Sequence, residues 1–267
     1  IAVLSVGRSD YSILLPVMRK INAHENFNLH LLVAGMHLAP EFGMTVNNII
    51  DDGWEIKERI EHNLASDTPA GLAKSIGLGV IGFADLFSRY TPDILLLVGD
   101  RFEVMAAALA AQPFSFPIAH IHGGETSQGA IDEVFRHSIT KMSHIHFVSS
   151  KHSKKNILSY GERKKSISVV GKLNKKINVT NKISFTSPVL KKIINTNFAV
   201  VTFHSLNLDN KKTLNEIQNL LESLKEFKKL NFIWCGFNSD PENHVIINKV
   251  NKFCKKNKNH FILKQGI

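Results

Sequence analysis

Acidic residues recur at the ends of apolar runs in the middle of this 267-residue sequence. Val98-Gly99-Asp100-Arg101-Phe102-Glu103 closes one run and His120-Ile121-His122-Gly123-Gly124-Glu125 closes the next. Ile131-Asp132-Glu133-Val134-Phe135-Arg136-His137 then opens a helical stretch. If the runs are neighbouring parallel strands, their C-terminal ends face one crevice, which is where open α/β sheets bind ligands. Carboxylates crowded into such a crevice have their pKa values driven apart, and that suits general acid and base work.

Each segment also has a plainer explanation. Gly7-Arg8-Ser9-Asp10 lies between the first apolar run and the first helix. A glycine turn and a helix N-terminus favour an anion, and Arg8 adds a bidentate donor for phosphate. A helix cap by Ser9 or Asp10, with Arg8 on the surface, accounts for the same residues. Asp100 suits an N-cap for the helix that follows it, with Arg101 and Glu103 as first-turn surface residues. His120, His122 and Glu125 invite a metal reading, because His-x-His on a strand sets both rings on one face. No third His or Cys follows at ligand spacing, and Gly123-Gly124 suit close backbone approach to a ligand, so no metal is assigned. On a helix Asp132 lies one turn from Arg136 and Glu133 one turn from His137, with Lys141 extending that face. Surface ion pairs would explain these four and would contribute little. His204 follows the apolar run Val200-Val201-Thr202-Phe203, where a lone histidine is more often structural than catalytic.

Alternating strand and helix signals must position these residues. Ile1–Val6, Leu29–Ala34, Ile94–Val98, Pro117–Ile121 and Ile145–Ser149 read as strands. Helical patterns fall at Tyr11–Ala23, Leu72–Tyr90, Ala106–Ala111, Ile131–Met142 and Ser153–Tyr160. Continuous apolar strands separated by helices indicate a parallel sheet covered on both faces. A second series follows a Lys/Asn-rich connection near Lys172–Thr196: strands at Phe198–Phe203, Asn231–Cys235 and His260–Leu263, with helices at Leu214–Phe227 and Val245–Phe253. The alternation stops at Gln265-Gly266-Ile267, so the second doubly wound domain is expected to be incomplete, through a fragmentary chain or a reduced domain. The domain expectation is 1–171 and 172–267.

Composition narrows the class. Hydrophobic residues make up 43% and charged residues 21%, as in an ordinary soluble globular protein. No apolar stretch reads as long and uninterrupted enough to span a bilayer, and Ile1–Val6 reads as a strand rather than a signal peptide. The two cysteines, Cys235 and Cys254, read as buried thiols and point to a cytoplasmic setting. The net charge of +10 hides a split, −6 over residues 1–150 and +16 over residues 151–267. An electropositive partner-binding half is one explanation. A solvated Lys/Asn-rich surface is the favoured one, because the lysines are scattered and lack interleaved aromatics for base stacking. No nucleic-acid or membrane partner is therefore expected.

Taken in order, these segments resemble a known family. Arg8-Ser9-Asp10-Tyr11, Gly35-Met36-His37-Leu38, Gly77-Leu78-Gly79, Gly99-Asp100-Arg101-Phe102-Glu103, His122-Gly123-Gly124-Glu125, Ile131-Asp132-Glu133 with Arg136-His137, and Ile139-Thr140-Lys141-Met142-Ser143-His144 look like the hydrolysing UDP-N-acetylglucosamine 2-epimerases. The match is dense over residues 1–171. The branch most resembled supplies N-acetylmannosamine, or a diacetylated bacillosamine-derived equivalent, for sialic- and legionaminic-type sugars.

The resemblance implies an α/β, GT-B-like fold of two Rossmann-like domains, a UDP-sugar substrate bound between them, no cofactor, and a homodimer. It implies elimination followed by addition: a base removes the C2 proton, UDP leaves, and water adds to the glycal. The catalytic positions it carries over are Asp100, Glu125, Asp132, Glu133 and His204, the histidine assisting the departing diphosphate. Arg8, Ser9, Asp10, His37, Arg101, Glu103, His122, Gly123, Gly124, Arg136 and His137 become the substrate-binding set. A weakly acidic C2 proton calls for a carboxylate base of raised pKa, and the diphosphate calls for cationic or hydrogen-bonding stabilisation.

The chain departs from the family pattern in three places. Val169-Val170-Gly171 is followed by Lys172-Leu173-Asn174-Lys175-Lys176 in place of a Pro/Leu-Gly-x-Asp turn, and His204 by Ser205 in place of proline. The Ser-rich glycine loop and the glutamate after it, which hold UDP in the family, and the helix that crosses back to the first domain are not in this sequence. Those departures keep a non-catalytic relic or a nucleotide-binding regulatory protein open as an alternative. A GT-B glycosyltransferase would share the fold, but clustered carboxylates in the first domain suit elimination better than sugar transfer.

Overall fold

Ala2-Val3-Leu4-Ser5 forms strand β1 (Ala2–Ser5), every residue of it buried, and the rest of the first sheet grows outward from it. The computed structural model describes residues 1–66, 68–127, 131–173, 188–203, 210–235 and 243–263. The chain falls into two compact units, Ile1–Ser66 with Ala70–Lys176 and Asp67–Pro69 with Ile177–Ile267.

In the first unit β1 leads into α1 (Arg8–Asn22), β2 (His30–Ala34), α2 (Val46–Asp51), β3 (Ile56–Ile60), α3 (Pro69–Arg89), β4 (Leu95–Val98), α4 (Phe102–Ala111), β5 (Ile118–Ile121), α5 (Ile131–Met142), β6 (Ile145–Val148), α6 (Lys151–Ser159) and β7 (Ile167–Val169). The seven strands pair in the order β3-β2-β1-β4-β5-β6-β7. Pairing is parallel throughout, with Ala2 opposite both His30 and Leu95. The chain winds from β1 to β3 in one direction and resumes at β4 on the other side of β1. That reversal makes the β1/β4 boundary the switch point, with a crevice beyond the strand ends.

Both faces of this sheet are covered. On one, Leu4, Leu32, Leu95 and Leu97 pack with Phe83, Leu86 and Phe87 of α3 and the alanines of α4. On the other, Val3, Val33 and Leu96 pack with Leu14, Leu15 and Met18 of α1. Each large side chain buried this way stabilises by roughly 1.5–3 kcal/mol relative to exposure.

Three elements lay outside the sequence expectation. β3 is the edge strand of the order, and its Ile56-Lys57-Glu58-Arg59-Ile60 alternates between half-buried and exposed up to a buried Ile60, so no apolar run announces it. β7, the opposite edge, is mostly exposed, and α2 is only six residues long. A membrane-span expectation is also corrected. Among the described helices α3 alone is long and apolar enough, by length and composition, to cross a bilayer. Its apolar residues have another use, since Phe83, Leu86 and Phe87 sit in the core.

The second unit holds α7 (Pro188–Ile193), β8 (Phe198–Val201), α8 (Asn210–Leu224), β9 (Asn231–Trp234), α9 (Asn243–Lys256) and β10 (His260–Ile262). Its three described strands pair in parallel in the order β10-β9-β8. Ile217 and Leu221 of α8 and Ile246, Val250 and Phe253 of α9 close over Trp234. α7 fell inside the expected connection, because its six residues carry two lysines, Lys191 and Lys192, beside only two buried apolar anchors, Leu190 and Ile193.

Candidate active site

The loops after β1, β4 and β5 and the helix α5 carry the expected chemistry, and one arginine ties most of it together. Arg136 is buried on α5, and its guanidinium pairs with the carboxylate of Asp100 just after β4. The same guanidinium donates to the Glu125 carbonyl at 2.9 Å and to Ser127 Oγ at 3.2 Å. The Ser127 N–H donates to Glu133 Oε2 at 3.2 Å. Glu133 Oε1 lies 3.3 Å from His137 Nε2, which also lies 3.3 Å from the Tyr160 hydroxyl. A network therefore joins Asp100, the Glu125 loop, Glu133, Arg136 and His137 across two strand ends and a helix.

The plainer explanations hold for some of these residues and fail for others. Asp100 is not the cap of α4; that place falls to Arg101, with no side-chain cap bond. Arg136 does not make a one-turn surface pair with Asp132, because its donors point back at the strand ends. The Glu133–His137 pair does form at helical spacing. α1 begins at Arg8 with Gly7 as an uncapped N-cap, so Ser9 and Asp10 stand in its first turn rather than capping it. Arg8 and Ser9 are exposed there, while Asp10 is buried.

Glu125 receives a second-strand contact that the sequence did not point to. Ser149 Oγ, just past β6, donates to Glu125 Oε1 at 2.5 Å. The loop that carries Glu125 is tightly wedged. A Cβ on Gly124, whose φ is +75°, would lie 2.4 Å from the Ser153 carbonyl oxygen. A Cβ on Gly123 would lie 2.8 Å from Thr140 Oγ1 and 2.9 Å from His120 Nδ1. The absence of a side chain at these two glycines lets α5 and α6 pack against the loop. His120 is fully buried, with Nε2 donating to the Gly99 carbonyl at 2.7 Å. His122 does not share its face, because β5 ends at Ile121 and His122 turns into the left-handed region at φ 65°. Burial lowers the pKa of His122, Glu125 opposes that, and the His122 Nε2 is buried with no hydrogen-bond partner among the described residues.

A second polar group lies at the β1, β2 and β4 ends. Glu103 is 0% exposed and receives Arg101 Nε at 3.3 Å and Asn63 Nδ2 at 3.4 Å. Arg101 Nη2 also reaches Met36 Sδ at 3.3 Å. Gly35, at φ +60°, leaves room for this pair, since a Cβ there would lie 2.7 Å from Glu103 Cγ. Asp10 shares the neighbourhood. Burial pushes its carboxyl up to about 7, with Arg101 lowering it and Glu103 raising it. His37 is fully buried, with Nε2 2.9 Å from Ser5 Oγ and Nδ1 2.8 Å from Thr45 Oγ1. Burial lowers its pKa to about 4, so it is neutral. His37 and Glu103 were expected to touch substrate. Their polar atoms are engaged with Ser5, Thr45, Arg101 and Asn63 inside the protein.

Asp132 lies in the first turn of α5, half-buried, and has an interaction partner of its own. His204 and Ser205 lie outside the described residues. Sequence reasoning missed Ser127, Ser149, Asn63 and Tyr160. Ser149 ended a recognised strand beside the Glu125 strand, and that adjacency was the available signal.

The arrangement offers carboxyl groups held by hydrogen bonds, one buried carboxyl of raised proton affinity, and exposed Arg8 at a helix N-terminus. That is equipment for moving a proton beside an anion.

Comparison with known proteins bears on this geometry. A family model described as UDP-N-acetylglucosamine 2-epimerase matches residues 19–265. The chain is 34% identical over 261 residues to a "GDP/UDP-N,N'-diacetylbacillosamine 2-epimerase (hydrolyzing)" of Campylobacter jejuni, a match that takes in 96% of this chain and 67% of that protein. It is 42% identical over 155 residues to a "UDP-N,N'-diacetylbacillosamine 2-epimerase (hydrolyzing)" of Legionella pneumophila, covering 58% of this chain and 41% of that protein. The chain therefore spans from under half to about two thirds of the length of these relatives. In fold it resembles the crystal structure of Methanocaldococcus jannaschii UDP-GlcNAc 2-epimerase in complex with UDP-GlcNAc and UDP, at a TM-score of 0.79 and 20% identity, over 100% of this chain and 73% of the other. The fold is thus α/β and GT-B-like, with the three described strands of the second unit forming a partial sheet. With its ordered motifs, its sheet and its family match in agreement, the chain belongs to the UDP-N-acetylglucosamine 2-epimerase family.

Proposed function

We propose that this protein is a hydrolysing 2-epimerase that converts a UDP-N-acetylated sugar to the free 2-epimer and UDP. The observation that carries the reading is the Arg136 network, which holds Asp100, the Glu125 loop and Glu133 together beyond the β4 and β5 ends. One carboxylate of Asp100, Glu125, Asp132 and Glu133 takes the C2 proton. The electron pair forms the C1=C2 bond of a glycal as the C1–O bond to the diphosphate breaks, and UDP carries the negative charge away. Water then adds its hydroxyl to C1 while an acid returns a proton to the opposite face of C2. Arg8 contacts the nucleotide phosphates, His204 assists their departure, and Ser9, Asp10, Arg101, His122 and His137 line the approach.

The printed activities of the Campylobacter and Legionella relatives support a diacetylated UDP-sugar, and UDP-N-acetylglucosamine is the second candidate. Within the same proposal the product feeds sialic- or legionaminic-type sugar synthesis in the cytoplasm. Residues 1–171 carry the acids, and residues 172–267 belong to the nucleotide-binding domain. A homodimer is part of the proposal as well. Ile81 of α3, 61% exposed, and the exposed Leu78 beside it suit a face covered by a second copy. A coupled assay for UDP release, with product analysis on both sugars, tests the reaction. Release of no UDP from either sugar by the purified full-length protein would refute it.

A further inference from the structure

Glu133 differs from the other acids of the network in what holds it. Asp100 is paired with Arg136, a permanent cation, and Glu125 accepts from the Ser149 hydroxyl. Glu133 accepts from the Ser127 N–H on Oε2, while its Oε1 lies 3.3 Å from His137 Nε2. The same nitrogen lies 3.3 Å from the Tyr160 hydroxyl, and the two ring centroids are 4.9 Å apart. One ring nitrogen thus faces two oxygens. His137 Nδ1 is buried with no hydrogen-bond partner among the described residues.

An imidazole nitrogen donates when it carries hydrogen and accepts when it does not. A carboxylate can only accept, so Glu133 calls for the hydrogen on Nε2. Placing it on Nδ1 instead would leave a buried N–H unpaired, which costs free energy. Tyr160 can share the Nε2 hydrogen as a second acceptor or donate its own to a bare Nε2. Either way it draws on the bond that serves Glu133. Burial and Glu133 raise the proton affinity of Tyr160, with Arg136 opposing, so it stays a hydroxyl. The remaining charged groups around the ring are engaged elsewhere. Arg136 is directed at Asp100 and the Glu125 carbonyl. Lys141, one turn further along α5, donates to Glu162 and to the Tyr160 carbonyl, and Glu162 also faces buried His146. Met105 of α4 and Met142, which line a groove with His137 and Tyr160, bring no charge.

We infer that His137 and Tyr160 are positioning residues for Glu133: the ring directs its Nε2 hydrogen at the carboxylate, and the Tyr160 hydroxyl loosens that hold so that Glu133 can exchange a proton with the substrate. The inference rests on the proposed 2-epimerase reading and selects Glu133, among its four carboxylates, as the one that takes the C2 proton. A carboxylate gripped by a permanent cation is a poor base, which tells against Asp100. Loss of the Tyr160 hydroxyl leaves Glu133 the whole donor and makes it a weaker base. Loss of the ring nitrogen removes the donor and shifts Glu133 the opposite way. A role in packing alone would shift neither.

The test uses the full-length protein and two ring-preserving variants, Tyr160→Phe and His137→Phe. The pH profile of kcat for UDP release is measured for each. In Tyr160→Phe the acidic limb is expected about half a pH unit lower, with the plateau down about threefold and KM unchanged. In His137→Phe the limb is expected about one unit higher. Shifts in the same direction, or none in Tyr160→Phe, would overturn the inference while leaving the 2-epimerase reading intact. Nitrogen-15 spectroscopy of His137 without ligand, at about pH 8 where an ordinary histidine is neutral, decides the hydrogen's place independently of activity. The hydrogen is expected on Nε2, and its proton resonance should move downfield in Tyr160→Phe. Hydrogen on Nδ1, or an unmoved resonance, refutes the positioning role even if His137→Phe fails to fold. Absence of UDP release by wild type from either sugar would instead sink the 2-epimerase reading, and with it the choice of Glu133 as base.

Discussion

The Arg136 guanidinium on α5 closes on the Asp100 carboxylate at the end of β4, across 36 residues of sequence. The side chains are 9% and 21% exposed, so the pair is largely shielded from water. Arg136 also holds the Glu125 carbonyl and Ser127 Oγ. One side chain thereby sets the spacing of two strand ends. A buried pair of this kind contributes little net stability by itself, but removing one partner strands the other.

Arg136→Ala is expected to destabilise the protein by about 3 kcal/mol, because Asp100 and the Glu125 carbonyl both lose their donor. Arg136→Lys should recover only part of that, since an ammonium cannot reach all three acceptors in fork geometry. Urea denaturation of the two variants checks the order. Equal stability of Arg136→Ala and wild type would remove the hub role.

Glu125→Gln is expected to lower kcat at least about a hundredfold in the UDP-release assay with the fold intact. Ser149→Ala should cost less, about tenfold. It removes one donor to the carboxylate at 2.5 Å, a contact of the charge-assisted class worth roughly 1.5 kcal/mol. Full activity in Glu125→Gln would exclude that carboxylate from the chemistry.

Gly124→Ala places a methyl 2.4 Å from a backbone oxygen of α6 and forces a side chain into φ +75°. The backbone conformation alone costs about 1–2 kcal/mol, and the clash adds to it. Gly35→Ala meets a side chain, Glu103 Cγ at 2.7 Å, which can swing aside only by leaving Arg101. Thermal melts should show Gly124→Ala as the more damaging substitution for stability. Gly35→Ala should instead weaken ligand binding by displacing Arg101 from Glu103. Reversal of that order would contradict the packing described.

Stability against pH carries opposing contributions. Burial raises Asp10 from 3.8 to about 7, so it holds its proton more tightly in the folded state. Its contribution is whole below pH 3.8 and is lost as pH rises through 7. Burial lowers His37 and His120 from 6.5 to about 4, so their contribution is whole above 6.5 and is lost as pH falls toward 4. Between those limits Asp10 offsets one of the two histidines. Asp10→Asn should therefore steepen the loss of stability on acidification by about 1.4 kcal/mol per pH unit. Denaturant midpoints between pH 4.5 and 6.5 measure it, and an unchanged slope would show that Asp10 carries no raised affinity in the folded state.

Most of the scaffold was legible in the residues themselves. Runs such as Leu95-Leu96-Leu97-Val98 are buried on both faces, and a strand buried twice reads as continuous hydrophobicity whatever surrounds it. The α5 boundaries at Ile131 and Met142 were equally plain, because one apolar stripe turns with helical period. The motif order across Arg8, Asp100, Glu125 and Asp132-Glu133 marked the family. β3 escaped notice because an edge strand needs no apolar run, and α7 because two anchors, Leu190 and Ile193, leave no period to count. The roles within the site belonged to tertiary structure. Local spacing assigned Arg136 to Asp132 and made Asp100 a cap, whereas the sheet order brought Asp100 to Arg136 and Ser149 to Glu125. Sequence spacing measures only neighbours along one element. Proton affinity at Asp10, and the choice between touching a ligand and positioning a neighbour at His37 or Glu103, depend on which distant elements exclude water around them.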